Sequence, residues 1–388
     1  MKFIGLILLM SAFTSSMSSA QNLEKIRFSV AAEPGWTNLF YRSSGWFGGD
    51  GIYSIPLNGI EASHSKSRKT LLIFSDTMIG EIDSGKLQPD SKMIHNSMAI
   101  LKGNKPESRK LMFHWKSKNG KPQSVFNPQT PRTGPGDYYW LGDGFINQEA
   151  NNALFIFGYR VKTTSNAAFG FEEVGNTLIK IKSADSIPFD KYEQKDTPFF
   201  IDKGNGEKGS FGAGIFVNTK AAGAAKPDGY VYVYGVLGKE KKLLVARVAP
   251  KNFENYAEWR YWDGQGWNST ITESAEITDQ VSNELSVSEL PDGRYVLVFQ
   301  QSGLGRNVCM RLGKTPFGPF GPAIKVWDTS EAITQKGFYT YNAKAHPSLS
   351  NKGELLISYN VNSFDFFEDL KKEPNLYRPR FIRVKFKN

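Results

Sequence analysis

The sequence is poor in the residues from which metal centres, disulfides and many catalytic sites are built. Of its 388 residues, one is a cysteine (Cys309) and four are histidines. A single cysteine excludes an intramolecular disulfide and any metal site made of several thiolates. The chain also lacks the Gly-x-Ser-x-Gly elbow, the phosphate-binding loop, the dinucleotide fingerprint, the His-Glu-x-x-His zinc motif and the Asp-containing repeat of sialidases. These absences speak against the corresponding enzyme classes.

Charge of one sign is not concentrated anywhere in the sequence. The net charge is +10, with 48 Lys and Arg against 38 Asp and Glu, and a positive charge can attract an anionic partner. The basic residues are scattered, however, and no dense basic run alternates with aromatic residues as in a nucleic-acid groove. We therefore expect a solvated surface and no nucleic-acid partner, with an acidic glycan as the weaker alternative.

Long apolar runs are missing as well, apart from a short one at the amino end. Lys2 is followed by the apolar residues 3–10 (FIGLILLM) and then by small residues up to Ala20. This pattern predicts a secretory signal peptide over residues 1–20, too short to span a bilayer; the alternative is a buried N-terminal strand. We expect an exported protein, periplasmic or extracellular, without membrane insertion.

One short apolar pattern recurs five times in the rest of the chain. Each copy has four or five residues, is rich in aliphatic and aromatic side chains and is flanked by polar or turn-forming residues, as buried strands are. Helical periodicity is nearly absent outside residues 364–372. The copies recur roughly every 60 to 80 residues, longer than the about 40 to 50 of a four-stranded propeller blade, so extended loops must account for the excess. They are residues 71–74, 154–157, 230–234, 295–299 and 355–358.

Each copy has strand-like neighbours on both sides, as a propeller blade requires, but the last set ends without an outer strand. Residues 26–31 (IRFSVA) have strand character, and we expect them to supply that strand, because closure removes exposed sheet edges. The sequence thus predicts an all-β fold, a single five-bladed β-propeller over residues 21–388 closed by an N-terminal strand that completes the last blade. The inner strands are expected at residues 48–57, 141–147, 209–218, 283–290 and 342–349.

Polar residues at one end of the expected inner strands should surround a shared pocket. In a propeller, the start of the first strand, the end of the second and the start of the third lie on the same face of each blade. The third blade offers little beyond Phe211 there, which would mark an open side. The candidate catalytic residues are Asp50, Asp76, Asp143 and Glu284, and the candidate substrate-binding residues are Trp46, His95, Asn96, Trp140, Tyr159, Gln301, Arg306, Asn342, Lys344, His346 and Asn360.

Two of these carboxylates stand in matching contexts. Asp50 and Asp143 each follow a tryptophan and precede a glycine. An Asp-Gly hairpin turn explains either one alone, but the repetition at one blade position favours a role in a site. Glycine lets a ligand approach the backbone closely, and the indoles of Trp46 and Trp140 either stack on a sugar or pack between blades.

A cluster of two to four carboxylates is suited to glycoside hydrolysis. One protonated acid assists the leaving oxygen, while a second carboxylate activates water or attacks the anomeric carbon. Alternatively, Asp76 forms an outward salt bridge, and His95 and His346 are structural. The chemistry needs no cofactor. A structural calcium ion in the central channel would suit aspartate and carbonyl oxygens, although no calcium-binding loop is visible.

Four stretches of the sequence resemble one bacterial family: residues 46–54 (WFGGDGIYS), 74–80 (FSDTMIG), 95–99 (HNSMA) and 341–347 (YNAKAHP). Together they resemble domain of unknown function 4185, part of which is glycoside hydrolase family 183. The resemblance spans nearly the whole mature chain and is strongest in the first blade. It implies a five-bladed propeller, endo-acting hydrolysis of D-arabinan and, by matching motif, catalytic roles for Asp50 and Asp76.

We therefore expect a secreted glycoside hydrolase of a polysaccharide, acting within D-arabinan chains. One alternative is an exo-acting, arabinofuranosidase-type hydrolase, for which loops would close a pocket instead of leaving a through-going cleft. The other is a non-catalytic glycan-binding propeller of a polysaccharide-uptake system, in which carboxylates changed to amides would leave binding intact.

Overall fold

The structure is a computed structural model that describes residues 22–63, 65, 67–165, 169–183 and 189–387. The expected signal peptide, residues 1–20, lies outside these residues. Strands dominate the described chain, and its helices are short, as expected for an all-β fold. Within the described ranges, no helix has the length and apolarity needed to cross a membrane.

The regular elements alternate along the described chain as follows. The first half contains β1 (Phe28–Ala32), α1 (Pro34–Leu39), β2 (Ser44–Gly49), β3 (Tyr53–Pro56), β4 (Lys69–Phe74), β5 (Thr77–Asp83), β6 (Lys86–Leu87), β7 (Lys92–Ile94), β8 (Ser97–Lys102), β9 (Leu111–His114), β10 (Lys116–Lys118), β11 (Lys121–Gln123), β12 (Tyr138–Asn147), β13 (Ala153–Thr163), β14 (Phe171–Ile181) and β15 (Glu193–Asp196). The second half contains β16 (Phe200–Asp202), β17 (Lys208–Asn218), β18 (Tyr230–Leu237), β19 (Lys242–Val248), β20 (Arg260–Trp262), β21 (Trp267–Asn268), β22 (Leu285–Glu289), β23 (Tyr295–Gln300), β24 (Asn307–Gly313), β25 (Ile324–Asp328), β26 (Phe338–Ala345), β27 (Glu354–Ser363), α2 (Phe366–Lys372) and β28 (Arg380–Phe386). Short 3-10 helices lie at Ser108–Lys110, Gln148–Ala150, Pro250–Asn252, Tyr256–Glu258, Ile271–Glu273, Thr329–Ala332 and Pro347–Leu349.

The described chain forms seven antiparallel sheets, two of which are β10-β11 and β2-β5-β6 with β7 paired to β5. We number the other five in chain order: β3-β4-β8-β9, β12-β13-β14-β15, β16-β17-β18-β19-β20-β21, β22-β23-β24-β25, and β26-β27-β28-β1. The five apolar segments predicted from the sequence lie in β4, β13, β18, β23 and β27. The inner strands β3, β12, β17, β22 and β26 are spatial neighbours in this order.

The N-terminal strand β1 belongs to the fifth sheet. It pairs antiparallel with β28, from Phe28 opposite Phe386 to Ala32 opposite Ile382. This is the pairing that the sequence predicts for the N-terminal segment. The edge strand of the last sheet therefore comes from the start of the described chain.

Clusters of buried apolar side chains fill the spaces between neighbouring sheets. Four of the clusters lie between consecutive sheets, and a fifth joins the fifth sheet to the first, where Leu356 and Phe381 pack with Leu72 and Phe74. Removing this apolar surface from water is the main stabilising contribution to the packing of the sheets.

The first sheet differs from the sequence-based expectation of one inner strand over residues 48–57. The chain instead forms β2, turns at Asp50-Gly51 and continues as β3. Gly51 has a φ of +64°, and a Cβ atom there would lie 3.1 Å from Oε1 of Glu284, so glycine is required at this position. Strand β2 pairs with β5, which begins directly after Asp76. These strands form a separate sheet, which was not predicted.

Candidate active site

Bulges in the inner strands shape the centre of the molecule. The strand pairing shifts between Leu141 and Gly144 in β12 and between Tyr341 and Lys344 in β26, and β17 has a shift at the corresponding place. A bulge adds a residue to one strand and redirects its side chains. Asp143 therefore lies within a bulged strand and not in an Asp-Gly hairpin turn.

Asp50 and Asp76 lie next to each other. The Asp50 amide donates a hydrogen bond to the Asp76 carbonyl (3.1 Å), and the Ser75 amide donates one to the Asp50 carbonyl (2.9 Å). The Tyr341 hydroxyl donates to Oδ2 of Asp50 over 2.7 Å. Oδ1 of Asp50 is buried, and within the described chain it has no hydrogen bond of good geometry. The Asp50 carboxyl group is thus enclosed by its neighbours.

The surroundings of these two carboxyl groups differ. Burial raises the pKa of Asp50 to about 8, and the charges of Asp76 and Glu284 act in the same direction, while hydrogen bonds from Tyr341 and Tyr377 oppose them. Asp50 therefore holds its proton at neutral pH. Asp76 instead hydrogen-bonds Nδ1 of His95 over 2.9 Å.

Asp143 uses both of its carboxylate oxygens in backbone hydrogen bonds. Oδ1 accepts from the Gly144 amide (2.8 Å), and Oδ2 accepts from the Ile215 amide in β17 (2.7 Å). Burial raises the pKa of Asp143 to about 7, although these two hydrogen bonds and the charge of Lys344 oppose the rise. The Asp143 side chain consequently links the second and third sheets.

Glu284 links the fourth sheet region to the fifth sheet. It forms an ion pair with Lys344, and its Oε1 accepts a hydrogen bond from Asn342 over 2.7 Å. Burial raises the pKa of Glu284, and the nearby Lys344 ammonium opposes this. The bulge in β26 places both of its partners against Glu284. The predicted residues Glu284, Asn342 and Lys344 thus form one buried cluster.

This cluster lies between the inner strands at the centre of the molecule. The Lys344 ammonium lies 4.5 Å from the centre of the Tyr53 ring, and the Tyr53 hydroxyl donates to the Ala213 carbonyl across the channel over 2.9 Å. A cavity of about 220 Å³ is lined by Tyr53, Asp143 and Lys344, whereas Asp50 does not line it. The residues around Lys344 therefore separate the Asp50 region from this cavity.

Aromatic side chains lie around Asp50 and Asp76. The His95 ring stacks on Tyr138 with centroids 3.7 Å apart, and three large rings are exposed, with Phe169, Phe171 and Phe364 at 50%, 37% and 52%. We define the aromatic rim as Tyr138, Trp140, Phe169, Phe171, Tyr339 and Phe364. Of the predicted tryptophans, Trp140 belongs to the rim, and its ring centroid lies 4.5 Å from that of Phe171.

Trp46 and Asn96, which were predicted to bind substrate, are buried structural residues. Trp46 is 1% exposed and stacks on Phe113 with centroids 4.5 Å apart, so its alternative role, packing, is the correct one. The Asn96 amide group donates to the carbonyls of Phe126 and Tyr139 and accepts from the Phe126 amide. It fixes a loop against the second sheet instead of facing solvent.

His346 and Asn360 are likewise enclosed. The two ring nitrogens of His346 hydrogen-bond Ser54 (2.9 Å) and Ser358 (2.8 Å), and burial lowers the pKa of His346 to about 3. This histidine is therefore neutral and ties the fifth sheet to the first. Asn360 donates to the Gly49 carbonyl over 3.4 Å.

Gln301 and Arg306 interact with residues other than Asp50 and Asp76. Gln301 accepts a bond from Asn307, and the exposed Arg306 pairs with Asp328 at 3.5 Å. The structure does not show either residue in contact with the Asp50 carboxyl group. Tyr159, in contrast, lies near the centre: burial raises its pKa well above the ordinary value, and neighbouring carboxylates add to the rise.

Several residues of the site escaped the sequence analysis. Tyr341 stands at the start of the fourth resembling stretch, next to a predicted residue, so a signal for it existed. Tyr377, Phe169 and Phe364 lie in segments outside the repeated pattern, and nothing in the sequence connects them to Asp50. They reach the site because the β13–β14 hairpin and the chain after β27 fold back toward it.

The donor groups of the channel do not suit a calcium ion. No group of three or more His, Cys, Asp or Glu side chains is arranged to hold a metal within the part of the chain that the structure describes. Both oxygens of Asp143 are engaged by backbone amides, and the cation beside Glu284 is the Lys344 ammonium. The side chains themselves thus satisfy the charges that an ion would balance.

A model of the family described as domain of unknown function 5005 (DUF5005) matches residues 34–386 of this chain. This is a different family from domain of unknown function 4185, which the sequence motifs resemble. A search of the curated proteins found no match.

Solved structures similar to this chain include a Bacteroides ovatus protein to which a hydrolase activity is ascribed. The TM-score is 0.70 at 21% sequence identity, over 95% of this chain and 97% of that one. Weaker similarities include a GH62 hydrolase in complex with xylotriose (TM-score 0.45, 10% identity, 89% and 99% covered) and the GH43 protein BlXynB from Bacillus licheniformis (TM-score 0.42, 13% identity, 86% and 51% covered). The similarity to the Bacteroides ovatus protein shows a shared fold.

Proposed function

Because the chain belongs to the DUF5005 family, whose function its description leaves open, we propose a function from the site itself: a secreted glycoside hydrolase on a five-bladed β-propeller. The propeller is supported by the apolar cluster between the fifth and first sheets and by the β1–β28 pairing. The catalytic proposal rests on one observation, the adjacent residues Asp50 and Asp76, whose backbones hydrogen-bond to each other. One holds its proton at neutral pH, and the other faces an imidazole.

In this proposal, Asp50 is the general acid. Its proton moves to the glycosidic oxygen while the bond from that oxygen to the anomeric carbon breaks. Asp76 either takes a proton from the attacking water or attacks the anomeric carbon itself, after which water releases the sugar. Both routes consume one water per bond and restore the two carboxyl groups, and they differ in the anomeric configuration of the product.

Neighbouring residues position this pair. Tyr341 holds Oδ2 of Asp50, and His95 orients Asp76. The charge of Glu284 contributes to the raised pKa of Asp50. Asp143 and Glu284, which the sequence analysis placed among the catalytic residues, act in this account as buried ties that fix the inner strands.

D-arabinan is the first substrate that we propose to test. The stretches around Asp50, Asp76 and Lys344 resemble those of D-arabinan hydrolases, and this resemblance is the support for that substrate and for endo action. An arabinofuranosidase-type exo-hydrolase would use the same carboxyl pair. A purely glycan-binding propeller is the less favoured reading, because it gives no reason to hold a protonated carboxyl group beside a second acidic residue.

A polysaccharide panel tests the proposal. The mature protein and its Asp76→Asn variant would be incubated with mycobacterial arabinogalactan, L-arabinan, xylan and β-1,3-galactan, and the products separated by chromatography. We expect soluble sugars from one polysaccharide with the parent protein and at least about a hundredfold less with the variant. Binding to a glycan without any product from either protein would contradict hydrolysis and favour the binding-module alternative.

A further inference from the structure

We propose that the site accepts the free end of a glycan chain, because Asp50 and Asp76 belong to a closed ring of contacting residues, the wall of the site, that includes Phe169 and Phe171. This inference rests on the proposed function and deepens it. The resemblance implies cleavage within glycan chains. The present inference instead predicts the release of sugar units from chain ends.

Contacts between successive side chains form a closed circuit. Each partner touches the next through a hydrogen bond or a pair of neighbouring rings. The circuit runs from Asp76 to His95 (2.9 Å), Tyr138 (3.7 Å between centroids), Trp140 (6.1 Å), Phe171 (4.5 Å), Phe169 (6.2 Å), Tyr339 (6.3 Å), Tyr341 (5.6 Å), Asp50 (2.7 Å) and back to Asp76 through the backbone (3.1 Å).

The long hairpin of the second sheet completes this wall. Strands β13 and β14 have eleven residues each, and the residues after the turn bring Phe169 within 5.9 Å of Phe364 and 6.3 Å of Tyr339. Tyr339 lies in β26 of the fifth sheet, which does not neighbour the second sheet in the array. The hairpin therefore passes over the first sheet on the side where Asp50 and Asp76 lie.

The residues around Lys344 form the floor beneath this wall. The Lys344 ammonium, the Tyr53 ring and the Tyr53–Ala213 hydrogen bond occupy the channel between Asp50 and the cavity beyond. A site bounded in this way would open on one side only. A unit inside a linear glycan needs two exits for its two neighbours, whereas a terminal unit needs one. The geometry therefore fits a chain end.

The exposed rings supply the surface on which such a terminal unit would lie. Phe169, Phe171 and Phe364 are large apolar side chains that remain 37–52% exposed although they contact one another. A cluster of exposed aromatic rings is typical of a binding surface, and the apolar face of a sugar ring would cover it. The rings thus determine which part of the glycan enters.

Product analysis of the parent protein provides the first test. Oligosaccharides of the polysaccharide that the panel selects would be labelled at the reducing end and sampled at low conversion. We expect single sugars and labelled chains that are one unit shorter, and no cleavage when the non-reducing end is chemically capped. Labelled products of many lengths at early times would overturn end attack and leave the hydrolase proposal intact.

A double variant, Phe169→Ala/Phe171→Ala, tests the wall itself. The matched control is Phe367→Ala, which removes a ring that is 57% exposed on α2 and whose ring contact is with Phe366. We expect the double variant to raise KM about tenfold, from the loss of ring stacking, and to release products longer than one unit. Products and KM equal to those of the control would overturn the role of the two phenylalanines. If the parent protein cleaves no glycan, the proposed function fails, and this inference fails with it.

Discussion

Two pairs of acidic residues lie near the centre of the molecule, and they differ in what holds their oxygens. The Asp143 carboxyl group accepts hydrogen bonds from backbone amides of its own strand and of β17, and the Glu284 carboxyl group is held by Asn342 and Lys344 of β26. Asp50 is instead held by the Tyr341 hydroxyl, and Asp76 faces a half-exposed histidine. We therefore expect the first pair to fix the inner strands and the second pair to perform the chemistry.

The largest change in stability that we expect comes from breaking the buried ion pair between Glu284 and Lys344. Lys344→Met leaves Glu284 charged and without its partner, which should lower the free energy of unfolding by about 3–5 kcal/mol. Denaturant titration followed by fluorescence measures this loss. The double variant Glu284→Leu/Lys344→Met should recover most of it. A single variant as stable as the parent would show that the ion pair does not hold the sheets.

The two tryptophans offer the same contrast between a structural and a ligand-facing residue. Trp46→Ala removes a fully buried indole, which should cost about 3–5 kcal/mol of unfolding free energy, whereas Trp140→Ala should change stability much less and weaken glycan binding. Denaturant titration and binding measurements on both variants separate the two effects. Weaker binding in Trp46→Ala at unchanged stability would contradict the placement of this residue in the core.

These tryptophans also show what can be predicted from the sequence. Both follow the same local pattern, and β-strand periodicity located the five sheets, the pairing of the N-terminal segment and most of the central polar residues. Burial depends on the tertiary partners, such as Phe113 against Trp46, and these are not encoded in the local spacing. The separate sheet of β2 and β5 and the residues Phe169, Phe364 and Tyr377 were missed because they have no counterpart in the other sheets.

The raised pKa of Asp50 predicts how stability depends on pH. The folded-state pKa is about 8 against an ordinary value of 3.8, so between these values the folded protein binds more protons than the unfolded chain. The free energy of unfolding should therefore decrease as the pH rises from 4 to 8. Asp50→Asn should reduce this decrease by at least about 1 kcal/mol. Parallel pH profiles of the two proteins would contradict the burial of a protonated carboxyl group.

The smallest effect that we expect is a shift of the pH–activity profile. Turnover should fall as the pH rises through about 8, because the general acid Asp50 loses its proton. Tyr341→Phe removes a hydrogen bond that stabilises the charged form, so the alkaline limb should move to higher pH. Tyr339→Phe, two residues away, is the control. A shift to lower pH in Tyr341→Phe would show that the limb does not report Asp50.

The central claim is that Asp50 performs the chemistry and Asp143 holds the fold, and one matched pair of variants tests it. Turnover and melting temperature would be measured for Asp50→Asn and Asp143→Asn on the glycan that the panel selects. We predict at least about a hundredfold lower turnover in Asp50→Asn at an undiminished melting temperature. Asp143→Asn should instead lose about 1–3 kcal/mol of stability and keep most of its turnover. Near-normal turnover in Asp50→Asn with inactivation in Asp143→Asn would contradict the account and transfer the catalytic role to Asp143 and Glu284.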